Sequence, residues 1–192
     1  TAHTPAGDLA VALKLPGRHN VSNALAAIAV GLACNLSLAE IGRGLTSVEP
    51  VAGRLSVQRS AGGASIIDDC YNANPGSVRA AIDLLAACPG QRVLLLGAMR
   101  ELGPDSERLH SEMGAYAAEC GLDGLWGVGP ELAPTVEVFG KGGRWFATLD
   151  EARSAVAGAF AGDSTVLVKG SRGAQMEQLL PALLGETESL PC

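Results

Sequence analysis

From Asp69 onward the chain alternates short apolar runs with longer amphipathic stretches, and this alternation limits the fold more than any other feature. The apolar runs are Arg92–Leu96, Gly124–Val128, Arg144–Ala147 and Thr165–Val168. The stretches between them predict helices over Gly76–Cys88, Asp105–Cys120, a short one from Glu131, Leu149–Phe160 and Ala174–Leu184. Strands this short, apolar on both faces and bounded by Gly or Asp, suit a sheet covered by helices on both sides. The expectation is an α/β protein with a doubly wound, mostly parallel sheet.

The residues before Asp69 read differently. Asn20–Cys34 is rich in Ala and Leu, with Leu25, Ile28 and Leu32 on one stripe. Ser37–Val48 opens on a capping-box pattern, Ser37 followed three residues later by Glu40. Glu49–Gly53 carries a proline and breaks the helix. Arg54–Arg59 and Ser65–Asp69, separated by Ala61-Gly62-Gly63, predict a hairpin or a sharp loop. The chain therefore divides near residues 50–60, and Glu186–Cys192 reads as a loose tail.

Composition removes several classes of function. A net charge of −6 with no Lys/Arg cluster argues against nucleic acid as a partner. No apolar run reaches the ~20 residues a membrane helix needs, so membrane insertion is not expected. No signal peptide is visible, and the chain opens on Thr1 rather than Met, which points to a start further upstream. Cys34, Cys70, Cys88, Cys120 and Cys192 contain no Cys-x-x-Cys pair and read as reduced, non-catalytic thiols of a cytoplasmic protein.

In open parallel sheets ligands sit beyond the carboxyl ends of the strands. Three polar segments fall there: Asp68–Asn74, Gly97–Glu101 and Lys169–Arg172. Together they point to one cleft. The Lys169–Arg172 segment joins a strand to a predicted helix, so its N–H groups and the helix dipole favour an anion, with Ser171 either capping the helix or donating to a carboxylate. Asp68 and Asp69 point to opposite faces of their strand. One can receive ribose hydroxyls, and the alternative is an Asx turn with Asn72 or Asn74. Asn20 and Asn23 share a helix face and can pair with adenine, unless Asn20 only caps the helix. Arg54 is a phosphate ligand or a solvated cation. His110 is a ligand candidate on a helix, set against the commoner reading of a surface or half-buried helical residue. Gly127-Val128-Gly129 lacks the third glycine of a dinucleotide fingerprint, which removes a dehydrogenase, and no phosphate-loop motif occurs.

In order, Pro16-Gly17-Arg18-His19-Asn20-x-x-Asn23-x-x-Ala26-Ala27, Val51-Ala52-Gly53-Arg54-Leu55 and Asp68-Asp69-Cys70-Tyr71-Asn72-Ala73-Asn74-Pro75-Gly76-Ser77 resemble the Mur ligases. So do Gly97-x-Met99-x-Glu101-Leu102-Gly103, His110 and Leu167-Val168-Lys169-Gly170-Ser171-Arg172-x-x-x-Met176-Glu177. The resemblance implies that residues 1–52 are the tail of a central ATPase domain and 53–192 a C-terminal Rossmann-like domain. It implies ATP and Mg2+ as cofactors, with UDP-MurNAc-tripeptide and D-Ala-D-Ala as substrates joined through an acyl phosphate. By the same resemblance Asn20, Asn23 and His19 lie on the adenine side and Arg54 reaches the phosphates. Asp69 binds ribose with Tyr71 and Asn72 nearby, and Lys169, Ser171 and Arg172 face the amino substrate. Ala98 stands where the family usually has Asp. The phosphate loop and metal-holding carboxylates are expected in upstream domains, so no ligase turnover is expected of this chain alone. Two alternatives remain at this point. One is a folylpolyglutamate synthase-like ligase; the other is a non-catalytic α/β module binding a nucleotide or a partner.

Overall fold

The computed structural model describes residues 1–15, 17–49 and 53–185, without the side chains of Arg18 and His19. Pro16, the Pro50–Ala52 part of the predicted break and the predicted tail lie outside the described residues. The chain separates into two compact units, Thr1–Val51 and Ala52–Cys192.

The first unit begins with a hairpin that the sequence reading passed over. Strands β1 (Ala2–Thr4) and β2 (Gly7–Leu9) pair antiparallel. Their turn is closed by Thr4 Oγ1 donating to the Gly7 carbonyl, and Gly7 takes a φ of 118° that a side chain would disfavour. Helix α1 (Arg18–Ala33) follows, then α2 (Leu38–Ser47), whose Ser37–Glu40 capping box is formed as the spacing predicts. Ala2, Leu9, Ile28 and Ile41 make a small core. The predicted stripe on α1 is only partly buried: Ile28 is inside and Leu32 packs against it, but Leu25 is exposed.

The second unit is built on a six-stranded sheet of order β3-β4-β8-β5-β6-β7. The strands are β3 (Ser56–Arg59), β4 (Ser65–Asp69), β5 (Gln91–Gly97), β6 (Gly124–Val128), β7 (Gly143–Phe146) and β8 (Ser164–Lys169). Only β3–β4 is antiparallel, so of the two expectations for this segment the hairpin is the one that forms. The last strand in sequence thus enters the middle of the sheet, between β4 and β5, and brings its carboxyl end to theirs.

Helices α3 (Pro75–Ala86), α4 (Ser106–Glu119) and α5 (Ala133–Phe139) cover one face, burying Ile82, Leu85, Met113 and Phe139 against Leu94, Leu96 and Leu167. Helices α6 (Leu149–Val156) and α7 (Leu180–Leu184) cover the other, where Val156 and Leu183 meet Val93, Leu95 and Val166. Helix α3 starts where Asn74 and Ser77 close a capping box ahead of Pro75. Helix α6 stops at Val156, short of its predicted end at Phe160, whose ring instead packs tilted against Trp126 with centroids 4.9 Å apart.

The predicted helix Ala174–Leu184 is not continuous. It divides into two 3-10 turns and the short α7, broken at Gln175 by a left-handed φ of 52°. The cause is tertiary. Met176 drops into a seat left by two glycines: a Cβ on Gly97 would lie 2.6 Å from its sulfur, and one on Gly170 2.7 Å from its Cγ. Seating Met176 at full burial overrides the helical period.

Helices α4 and α5 approach closely at Gly114, where an added Cβ would stand 2.2 Å from the Thr135 carbonyl oxygen. Gly114→Ala is therefore expected to lower stability by about 1–3 kcal/mol through overpacking against backbone. Gly76→Ala, whose Cβ would meet only Asn74 Oδ1 at 3.5 Å, is expected to cost much less. Equal denaturation midpoints for the two variants would contradict this packing.

Candidate functional site

The carboxyl ends of β4, β8 and β5 carry the three polar loops named from the sequence, and hydrogen bonds fasten them to one another. Lys169, the last residue of β8, is buried. Its ammonium donates to Asp69 Oδ2 at 2.5 Å and to the Asn72 carbonyl at 2.9 Å. Two residues on, Ser171 donates its N–H to the Ala98 carbonyl at 3.0 Å. Its hydroxyl donates to the Ala73 carbonyl at 3.2 Å and accepts the Arg100 N–H at 2.8 Å. One short segment of β8 and its loop thus ties the loop after β4 to the loop after β5.

This geometry corrects the anion-site expectation for Lys169–Arg172. The loop enters a 3-10 turn, Arg172–Ala174, rather than an α-helix, so no helix macrodipole is aimed at a ligand. Lys169 is a neutralised strut and not an open cation. Ser171 neither caps a helix nor meets a carboxylate; it bridges backbone groups of two loops. Arg172 alone of the three is exposed, with Glu177 at 3.4 Å.

The two aspartates divide as the strand geometry requires. Asp68 accepts the N–H groups of Gly53 and Cys70, at 3.0 and 3.1 Å, and so closes its own turn. The Gly53 carbonyl in turn accepts the Tyr71 N–H at 2.9 Å. A side chain at residue 53 would meet Tyr71 N at 3.2 Å, and its φ of 75° favours glycine in addition. Arg54 is thereby placed over the Tyr71 ring, 4.2 Å from its centroid, in a cation–π contact. Asn72 turns its side-chain oxygen onto the Ala73 N–H, and Asn74 caps α3, so neither pairs with an aspartate.

His110, read from the sequence as a surface or half-buried residue, is fully buried. Its Nε2 accepts the Met99 N–H at 2.9 Å, and Nδ1 lies 2.8 Å from the Ser106 carbonyl. The ring proton therefore sits on Nδ1, facing Ser106. This residue fixes the loop after β5 from below, a role that spacing along a helix does not reveal. The following residue in that loop after Arg100, Glu101, takes a left-handed φ of 64°. Ala98 points into the apolar core. Cys70 donates its thiol to the Val168 carbonyl, and burial with Asp68 nearby pushes its pKa well above the usual thiol range, the wrong direction for a nucleophile.

In the first unit, Asn20 and Asn23 lie one turn apart on α1, with Asn23 Nδ2 donating to Asn20 Oδ1 at 3.2 Å. Asn20 is not a cap, because α1 begins at Arg18 with Gly17 at the N-cap. The His19 side chain lies outside the described residues. Among the described residues no group of three or more His, Cys, Asp or Glu stands close enough to hold a metal ion. Nor is any described helix long and apolar enough to cross a membrane.

Residues 53–172, the segment that carries all three loops, match the family described as Mur ligase, glutamate ligase domain. The chain belongs to the Mur ligase family. A Mur ligase of Escherichia coli, UDP-N-acetylmuramoyl-tripeptide–D-alanyl-D-alanine ligase, is 40% identical over 185 residues, covering 95% of this chain and 41% of its own length. The crystal structure of MurF from Acinetobacter baumannii superposes with a TM-score of 0.85 at 36% identity, over 95% of this chain and 41% of that one. A MurF ligase from Thermotoga maritima in complex with ADP gives 0.74 at 27% identity, over 90% and 39%. The chain thus spans about two-fifths of the length of these Mur ligases.

The Lys169–Asp69 pair offers a direct test of the loop arrangement. Lys169→Met leaves a carboxylate with little solvent and no ammonium, and is expected to destabilise the protein by about 3–5 kcal/mol. Adding Asp69→Asn should recover most of that loss, since the unpaired charge is then gone. Calorimetric melting of both variants checks this, and a single variant as stable as the parent would contradict the strut.

Proposed function

We propose that this chain is the C-terminal part of an ATP-dependent ligase that joins D-Ala-D-Ala to UDP-MurNAc-tripeptide in the cytoplasm. Residues 1–52 are then the end of the central ATPase domain and 53–192 the domain that closes over the nucleotide. The observation that carries the reading is the identity of 40% with the E. coli UDP-N-acetylmuramoyl-tripeptide–D-alanyl-D-alanine ligase across 95% of this chain. Two Buchnera aphidicola relatives of the same name, at 32% and 31% identity, support it over a folate-specific ligase.

On this reading Arg54, held over Tyr71, aims its guanidinium fork at the nucleotide phosphates. Asp69, paired with Lys169, receives ribose hydroxyls, with Tyr71 and Asn72 beside it. Asn20, Asn23 and His19 belong to the adenine side. ATP as the nucleotide is supported by the ADP bound to the T. maritima relative. Mg2+ would neutralise phosphate charge during transfer, with ligands in upstream domains. Arg172 faces the amino substrate, while Lys169 and Ser171 serve it indirectly by fixing the loops. Phosphoryl transfer to the tripeptide carboxylate gives an acyl phosphate. The dipeptide amine then attacks, phosphate leaves and the amide forms.

Joining the upstream domains of the E. coli relative to this chain should give an enzyme that releases phosphate only when both peptide substrates are present. The 192-residue chain by itself should show no turnover. A folded chimera that turns over with glutamate but not with D-Ala-D-Ala, or turnover by the chain alone, would overturn the proposal.

A further inference from the structure

Strand β5 ends at Gly97, and the backbone beyond it has left the sheet ladder. Met99 is nonetheless buried, so its N–H needs a partner from the protein rather than from water. His110 is that partner through Nε2, while its Nδ1 is turned to the Ser106 carbonyl of its own helix. The residues on either side of Met99 are tied elsewhere. The Ala98 carbonyl accepts the Ser171 N–H, and the Arg100 N–H donates to Ser171 Oγ. Three successive residues are thus held alternately by the loop after β8 and by α4.

What the clamped backbone presents is charge. Arg100 carries an exposed guanidinium that stands 3.7 Å from Glu131, beyond hydrogen-bonding distance. Glu101 follows with its left-handed φ of 64°. That conformation costs energy in a residue with a side chain, and it persists because the backbone before it is fixed. Only a neutral imidazole with its proton on Nδ1 makes both of the His110 contacts. A buried histidine whose two nitrogens are committed to backbone groups acts on the loop and not on a ligand.

We propose that His110 is a positioning residue of the ligase: by accepting the Met99 N–H it holds the loop after β5 so that the Arg100 guanidinium is preset as positive charge in the cleft. The inference rests on the ligase reading above and goes beyond it, because neither residue has a task there. That reading brings phosphate groups to the strand ends, first on the nucleotide and then on the acyl phosphate. A cation fixed in advance stabilises charge as it develops, and a displacement of about 1 Å forfeits much of that effect. Loss of the His110 tie leaves both Ser171 bonds in place, so the sheet stays folded while the loop is free to shift.

The first measurement needs no substitution. Imidazole nitrogen chemical shifts of the chain should show His110 neutral with its proton on Nδ1; a proton on Nε2 would overturn the tie. His110→Phe keeps a ring without the acceptor, and His110→Gln offers Met99 a carboxamide oxygen in its place. Amide exchange at Met99 should be about tenfold to a hundredfold faster in His110→Phe, near the parent rate in His110→Gln, and unchanged in β4 and β6 for both. Equal acceleration in every strand, or none at Met99, would contradict a local clamp. In the chimera with the upstream E. coli domains, His110→Phe and Arg100→Gln should each lower kcat by about tenfold to a hundredfold. The double variant should fall no further than the slower single one, because both remove the same placed charge. Losses that multiply, a folded His110→Phe at full rate, or no recovery in His110→Gln would overturn the proposal. A parent chimera without turnover would count against the ligase reading, and the exchange pattern would still decide the tie.

Discussion

The ammonium of Lys169 is the group on which the site depends. A lysine this deeply buried persists only if its charge is matched, and here Asp69 and the Asn72 carbonyl match it at hydrogen-bonding distance. That requirement draws the loop after β4 onto the end of β8. Once they are joined, Ser171 is placed to reach Ala73 on one side and Arg100 on the other. The loop after β5 is in turn held from α4 by His110. Three loops with no regular structure of their own thereby acquire one relative geometry.

The same interaction redistributes roles among the cations. A lysine at the end of a buried strand looks, in sequence, like a ligand for an anion. Pairing with Asp69 removes it from that task and leaves Arg54, Arg100 and Arg172 as the exposed guanidiniums around the strand ends. Two of these flank the β8 loop and the third lies on Tyr71 beside the loop after β4. The sheet order makes this possible: β8 lies between β4 and β5, so residues distant in sequence become neighbours at one edge.

The sheet was legible because its strands are short and apolar on both faces. β4 and β6 have the bounds read from the sequence, and β5, β7 and β8 differ by a residue at either end. The Ser37–Glu40 capping box was legible for the same reason, since its chemistry is local. What escaped depends on contacts between distant residues. The helix read over Ala174–Leu184 breaks because Met176 finds room only where Gly97 and Gly170 have no side chains. Ser171 and His110 each presented a plausible local role, and each is claimed by a partner on another element. The three polar loops were visible as candidates, but spacing cannot show which of their cations is already spent. The N-terminal hairpin rests on a four-residue turn and two three-residue strands, too short to produce an alternation that could be read.

The central claim is that the loops after β4, β5 and β8 form a single ligand-receiving surface. Amide chemical shifts of the chain, followed during titration with D-Ala-D-Ala, test it most directly. The expected result is a set of perturbations concentrated in residues 69–74, 97–101 and 169–177, rising together with one dissociation constant. Perturbations confined to the first unit or to the β6–β7 edge, with those three loops unmoved, would contradict it.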